Sequence, residues 1–169
     1  MTDEHTFSKT AGDLIQAVDA ALPKLRAISE RDAEKPRAAG VPEKWSPKQV
    51  IGHLIDSAAN NHQRFVRAQF KDDLVFDGYE QDAWVSLQRY RESPWAELID
   101  LWRLFNLHIA RIMQAAPNDE RVRKRARHNL DEIAWQSVSR DEPATLDFFM
   151  NDYVGHLKHH LAQVGVLGR

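Results

Sequence analysis

The sequence predicts an all-α four-helix bundle, folded as one domain over residues 1–169. Three observations carry this expectation. Four long stretches repeat apolar residues at helical spacing, start and stop signals mark their ends, and the two connectors between them show no sustained strand alternation.

The first helix is expected over about 6–30. Phe7, Ala11, Leu14, Val18, Leu22 and Leu25 share one stripe, and Pro23 should kink or weaken the last turns. The second, over 46–69, has the clearest start. Ser46 is an N-cap, Pro47 occupies the first helical position, and Gln49 completes a capping box, with Trp45 and Val50 placed to staple it. Ser93-Pro94 repeats that start for a third helix over 94–116, stopped by Pro117. Its Trp95, Leu98, Ile99, Trp102, Phe105, Ile109 and Ile112 form a wide apolar face. The fourth should run over 145–167, from Thr145 to a stop at Gly168. The connectors 70–92 and 117–144 have room for short helices at Gln81–Tyr90 and Leu130–Val138. Connectors of that length in a compact domain are often functional.

Composition narrows the function classes. A 169-residue chain that is 43% hydrophobic and 28% charged can bury a core without disulfides. It contains no cysteine, which excludes thiolate catalysis and cysteine-ligated zinc or iron–sulfur clusters. No window is apolar enough for a membrane span, and MTDEHTFSKT lacks a signal-peptide pattern, so the expected compartment is the cytoplasm. A net charge of −2 gives no electrostatic reason for nucleic-acid binding. The basic run RVRKRAR at 121–127 reads as a solvated loop or helix end.

The eight histidines are unusual in number and position. With Phe149 set at 0° and about 100° per residue, His156 falls at roughly −20° and His160 at roughly +20°, in the middle of the apolar stripe. His159 lies toward its edge. Residues four apart on a helix have Cβ atoms roughly 5–6 Å apart, so two imidazoles can converge on one ion. Leu157-Lys158-His159 supply no glutamate between them, which excludes a metzincin- or thermolysin-like protease. Two readings stay open: a metal pair, or two neutral core histidines that each need a donor and an acceptor satisfied. On the second helix, His53, Ser57, Asn60 and Arg64 form a polar row that could face solvent or line a cavity inside the bundle. His62 projects elsewhere, and His108 reads as a packing or surface residue. His5 and His128 carry little weight.

Three passages carry a family resemblance: KWSPKQVIGHLIDS at 44–57, FDGYEQDAWV at 76–85 and DYVGHLKHHLAQV at 152–164. In their order and spacing the chain resembles the DinB/YfiT-like superfamily along nearly its whole length. The loop departs from the family's form, with Tyr79-Glu80 where Phe-Asp is usual. The resemblance implies an up-down-down-up bundle and a divalent metal, zinc or nickel, held by His53, His156 and His160. His159 and Gln163 match the closing motif without being expected ligands. Three imidazoles would leave the ion open positions and let it lower the pKa of a bound water or thiol. Asp56, Asn60, Gln163, Glu80 and Asp82 are candidate supports for the ligands. Relatives that use low-molecular-weight thiols such as bacillithiol or mycothiol imply a metal-dependent thiol S-transferase or a related hydrolase acting on a small molecule. The alternative is a non-catalytic metal-binding or stress-response protein. No catalytic side chain is assigned. A homodimer is expected from the resemblance and from the apolar face of Trp95–Ile112.

Overall fold

The computed structural model describes residues 9–36 and 44–168. Phe7 and His5 lie outside the described residues. Four long helices carry the fold: α1 Lys9–Ala27, α3 Pro47–Ala68, α5 Trp95–Ala115 and α8 Leu146–Gln163. Shorter helices lie between them, with α2 at Glu30–Ala33, α4 at Gln81–Leu87, α6 at Asn118–Val122 and α7 at Leu130–Ile133. No strand forms among the described residues, and none of their helices is long and apolar enough to cross a membrane.

Contacts between the long helices give their directions. The end of α1 meets the start of α5, where the Trp95 indole N–H donates to Leu25 O at 3.1 Å. The start of α3 also lies beside the start of α5, with Lys48 Nζ donating to Arg91 O at 3.2 Å. The starts of α1 and α8 meet at Thr10 and Asn151, 2.9 Å apart. The end of α3 packs on the start of α8 through the Phe65 and Phe149 rings, centroids 5.6 Å apart. The order is therefore up-down-down-up, as the resemblance implies. Trp102, Phe65, Phe149 and Leu14 fill the centre of the core. Truncating one such aromatic residue to alanine costs about 3–5 kcal/mol.

The start of α3 forms as its sequence predicts. Ser46 Oγ accepts from Gln49 N, and Gln49 Oε1 accepts from Ser46 N at 3.0 Å. Three other boundaries differ from expectation. The first helix passes through Pro23 but ends at Ala27, because Ser29 starts a new turn by accepting from Asp32 N at 3.1 Å. That new turn is α2, and its Glu30 caps a distant helix. The α5 start gains no side-chain cap from Ser93-Pro94, and the Trp95 N–H donates instead to Glu30 Oε2 at 2.9 Å. Glu30 also pairs with the buried Lys48, so one carboxylate ties the starts of α3 and α5 together. The last helix stops at Gln163, not near Leu167. Gly165, at φ 81°, takes the left-handed conformation, while Val166 N bonds to Leu161 O and Gly165 N to Ala162 O.

The connectors hold each other. Leu74 N donates to Arg127 O, Asn129 N to Leu74 O, and the Asn129 amide pairs with both backbone groups of Phe76. The 121–127 run, expected to be a solvated loop or helix end, is partly buried. Arg125 is 2% exposed, pairs with Glu120 and donates to Ala68 O, while Arg123 reaches Asp72 and Glu120. These side chains fasten the connector to the end of α3. His128 is buried as well, bonding Glu142 O through Nε2 and accepting from Leu130 N at Nδ1, so it is a structural clasp.

Candidate metal centre

Because α3 and α8 are antiparallel, the second turn of α3 faces the last turns of α8. His53 Nε2 lies 3.2 Å from His156 Nε2. The His160 ring centroid lies 4.7 Å from that of His53 and 4.5 Å from that of His156. One nitrogen from each of the three rings lies within 4.8 Å of the others. Two nitrogens bound 2.0–2.1 Å from a common ion, at angles near 90–110°, sit roughly 2.9–3.4 Å apart, so the His53–His156 separation suits a shared ligand position. The expected trio is brought together, and His62, His108 and His128 are not part of it. His62 and His108 face each other with ring centroids 5.3 Å apart.

The surroundings keep the His53 and His156 rings neutral, the form that donates a lone pair. Burial, followed by the neighbouring His160, lowers the pKa of His53 to about 3. Burial, then the surrounding imidazoles, lowers that of His156 to about 2. The Trp45 ring covers His53 at a centroid distance of 5.0 Å. His160 Nδ1–H donates to Gln163 Oε1 at 3.0 Å, which fixes the tautomer with the lone pair on Nε2. The same amide donates from Nε2 to His159 Nε2 at 2.8 Å, and the exposed His159 ring lies against Trp135. His156 Nδ1 faces Ser57 Oγ at 3.5 Å, and His53 Nδ1 has no partner. A pair of satisfied core histidines would use both nitrogens of each ring. Here the nitrogens aim at one another, and the donor set fits a divalent ion of the zinc or nickel kind.

Gln163 is therefore placed to orient His160. Gln163→Ala is expected to weaken zinc affinity about 10–100-fold with little change in thermal stability of the metal-free protein, measured by competition with a chelating dye. Unchanged affinity would remove it from that role.

His156 and His160 line an open cavity of about 510 Å³, and the buried His53 sits against them. Ser57, Asn61 and Arg64 of α3 form one wall, with Tyr79 and Glu80 from the first connector and Trp135 from the second. The polar row of α3 thus faces a cavity rather than solvent. Its third member is Asn61, four residues beyond Ser57, whereas Asn60 bonds back to Asp56 O. Asp152 on α8 accepts from Trp135 N at 2.9 Å and Gln136 N at 2.7 Å, holding the second connector in place. Burial raises the Tyr79 phenol to about 12, so it stays a neutral hydrogen-bond donor at physiological pH. Asp56 supports no imidazole, since its Oδ1 accepts from Tyr90 and Gln88, both at 2.6 Å. The Tyr90 ring packs where a Cβ on Gly52 would stand. Asp82 is exposed and lies outside the cavity wall. Trp135 and Asp152 had no role in the sequence reading, and nothing in their spacing signals one.

A family model described as the DinB superfamily matches residues 13–164. Among solved structures, YfiT from Bacillus subtilis superposes with a TM-score of 0.73 at 17% identity, covering 98% of this chain and 87% of that one. YfiT is described as a probable metal-dependent hydrolase with an unusual four-helix bundle topology. At that identity the likeness establishes the fold. No curated protein matches the sequence.

Proposed function

The chain belongs to the DinB superfamily, and on that premise we propose that it is a metal-dependent enzyme in which His53, His156 and His160 hold one divalent ion, zinc or nickel. One observation carries the reading: two of the three converging rings, His156 and His160, line an open, polar cavity, with the buried His53 directly against them, rather than all three lying in a closed shell. Three protein donors leave a tetrahedral ion an open position, as catalytic zinc sites do. When bound, the ion supplies Lewis acidity that lowers the pKa of a coordinated water or thiol toward neutrality.

The reaction we assign is transfer of a low-molecular-weight thiol onto a small electrophile. The chain has no cysteine, so the thiol enters as a cosubstrate. Ser57 and the neutral Tyr79 phenol stand along the cavity to orient the reactants by hydrogen bonds. A hydrolase is the second reading, supported by the description of YfiT.

The test loads the purified protein with zinc or nickel and supplies bacillithiol with a chlorodinitrobenzene electrophile, or a nitrophenyl ester without thiol. Metal-dependent thiol conjugation is expected. Ester hydrolysis alone would favour the hydrolase. Stoichiometric metal with neither reaction would favour a non-catalytic metal-binding protein, and failure to take up metal would overturn the whole reading.

A further inference from the structure

Arg64 has a buried charge with no charged partner in contact. It is 6% exposed and lines the cavity wall on α3. One N–H donates to Asp77 O at 2.6 Å, which uses one of the five donors of a guanidinium. Among the described residues no carboxylate lies within ion-pair distance of it, and Asp77 acts on its side chain only through longer-range charge. Every other charged group on the cavity wall is already engaged or lies at the rim. Asp152 has both oxygens taken by backbone N–H groups, Glu132 pairs with Arg140, and Glu80 is exposed. A buried charge is costly unless paired, and the natural partner for a planar guanidinium is a carboxylate.

We propose that Arg64 is the recognition site for a carboxylate on the small molecule that binds this cavity. The idea rests on the metal-dependent reading above and adds the substrate class: a molecule with its reactive group at the metal end and a carboxylate at the other. His53 and Arg64 are eleven residues apart on one face of α3, about 16 Å along its axis. Side chains on a helix lean toward its start and Arg64 is the longer of the two, so the ligand spans on the order of 10–15 Å between its two ends. Ser57 and Asn61 lie between them on the same wall and offer hydrogen bonds to the middle of the ligand.

The test uses two-ended probes of graded length. Zinc-loaded protein is titrated calorimetrically with ω-mercaptoalkanoates of increasing chain length and with the matching ω-mercaptoalkanols. At the length that spans the cavity, the acid should bind about tenfold more tightly than the alcohol, the value of one charge-assisted pair. Arg64→Gln should abolish that preference while leaving alcohol affinity and zinc stoichiometry unchanged, and Arg64→Lys should keep part of it. Equal binding of acid and alcohol at every length, or an acid preference that survives Arg64→Gln, overturns the proposal. The comparison of acid with alcohol on the unaltered protein decides the matter even if the variants fail to fold. A protein that takes up no zinc overturns the metal reading instead. In that case the same probe pairs, titrated into metal-free protein, still decide on Arg64 by the presence or absence of an acid preference.

Discussion

Alanine in place of His53, His156 or His160 is expected to reduce zinc occupancy from stoichiometric to near zero, with each substitution sufficient alone. The three nitrogens share one point, so removing one leaves two donors with neither the affinity nor the geometry to hold an ion. The loss should exceed the about 10–100-fold expected of the supporting Gln163. His62→Ala should retain wild-type occupancy, because that ring faces His108. His159→Ala should have a small effect, since it touches the site through Gln163 and the edge of the His160 ring but supplies none of the three converging nitrogens. Metal content by mass spectrometry after dialysis reads all five variants. The competing view, of histidines that merely pack, forecasts lost stability with no metal to lose. Wild-type protein without stoichiometric metal after incubation with zinc or nickel would decide for it.

The metal-free protein should lose stability steeply as pH falls below about 6.5. Folded, His53 titrates at about 3 and His156 at about 2, while their ordinary value is 6.5. Above 6.5 neither state binds these protons, and the stability is fully present. Below it the unfolded chain takes up two protons that the folded chain refuses, until the folded values are reached. Each ring then removes about 1.4 kcal/mol per pH unit, so two units of acidification cost on the order of 5 kcal/mol. Typical domains have about 5–15 kcal/mol in total, so this is a large share. Burial raises Asp56 and Asp152, which offsets part of the loss at the acidic end. Urea unfolding of chelator-treated protein from about pH 7.5 to 4.5 tests this. A flat profile down to about pH 5 would show that the rings are not held neutral.

What the sequence revealed depended on how far apart the interacting residues lie. The α3 start was legible because Ser46 and Gln49 bond across three positions. The α5 cap was not, because it comes from Glu30, distant in sequence, although the Ser29 cap that follows the break after Ala27 is local. The last stop was read at Gly168, whereas the left-handed turn forms earlier, at Gly165. The pair His156 and His160 was visible in one helix's periodicity, whereas its meeting with His53 required knowing how the helices run. That came from the family resemblance. The polar row of α3 could be read, but its exposure could not, because the chain that covers it arrives from the two connectors.

Those connectors have a consequence for how such a protein can diversify. Since α3 and α5 run the same way, the chain between them must travel back along the bundle, about 33 Å for the 22 residues of α3. On that return it lays Gly78–Gln81 along the cavity, while the second connector brings Trp135 to the opposite rim. The three imidazoles and Arg64 sit on helices fixed by the core, whereas Tyr79, Glu80 and Trp135, which complete the cavity wall, come from the connectors. Loops tolerate insertion and substitution where packed helices do not. Descendants of one ancestor can therefore keep the helix-borne histidines and Arg64 and reshape the rest of the cavity by rewriting the return path.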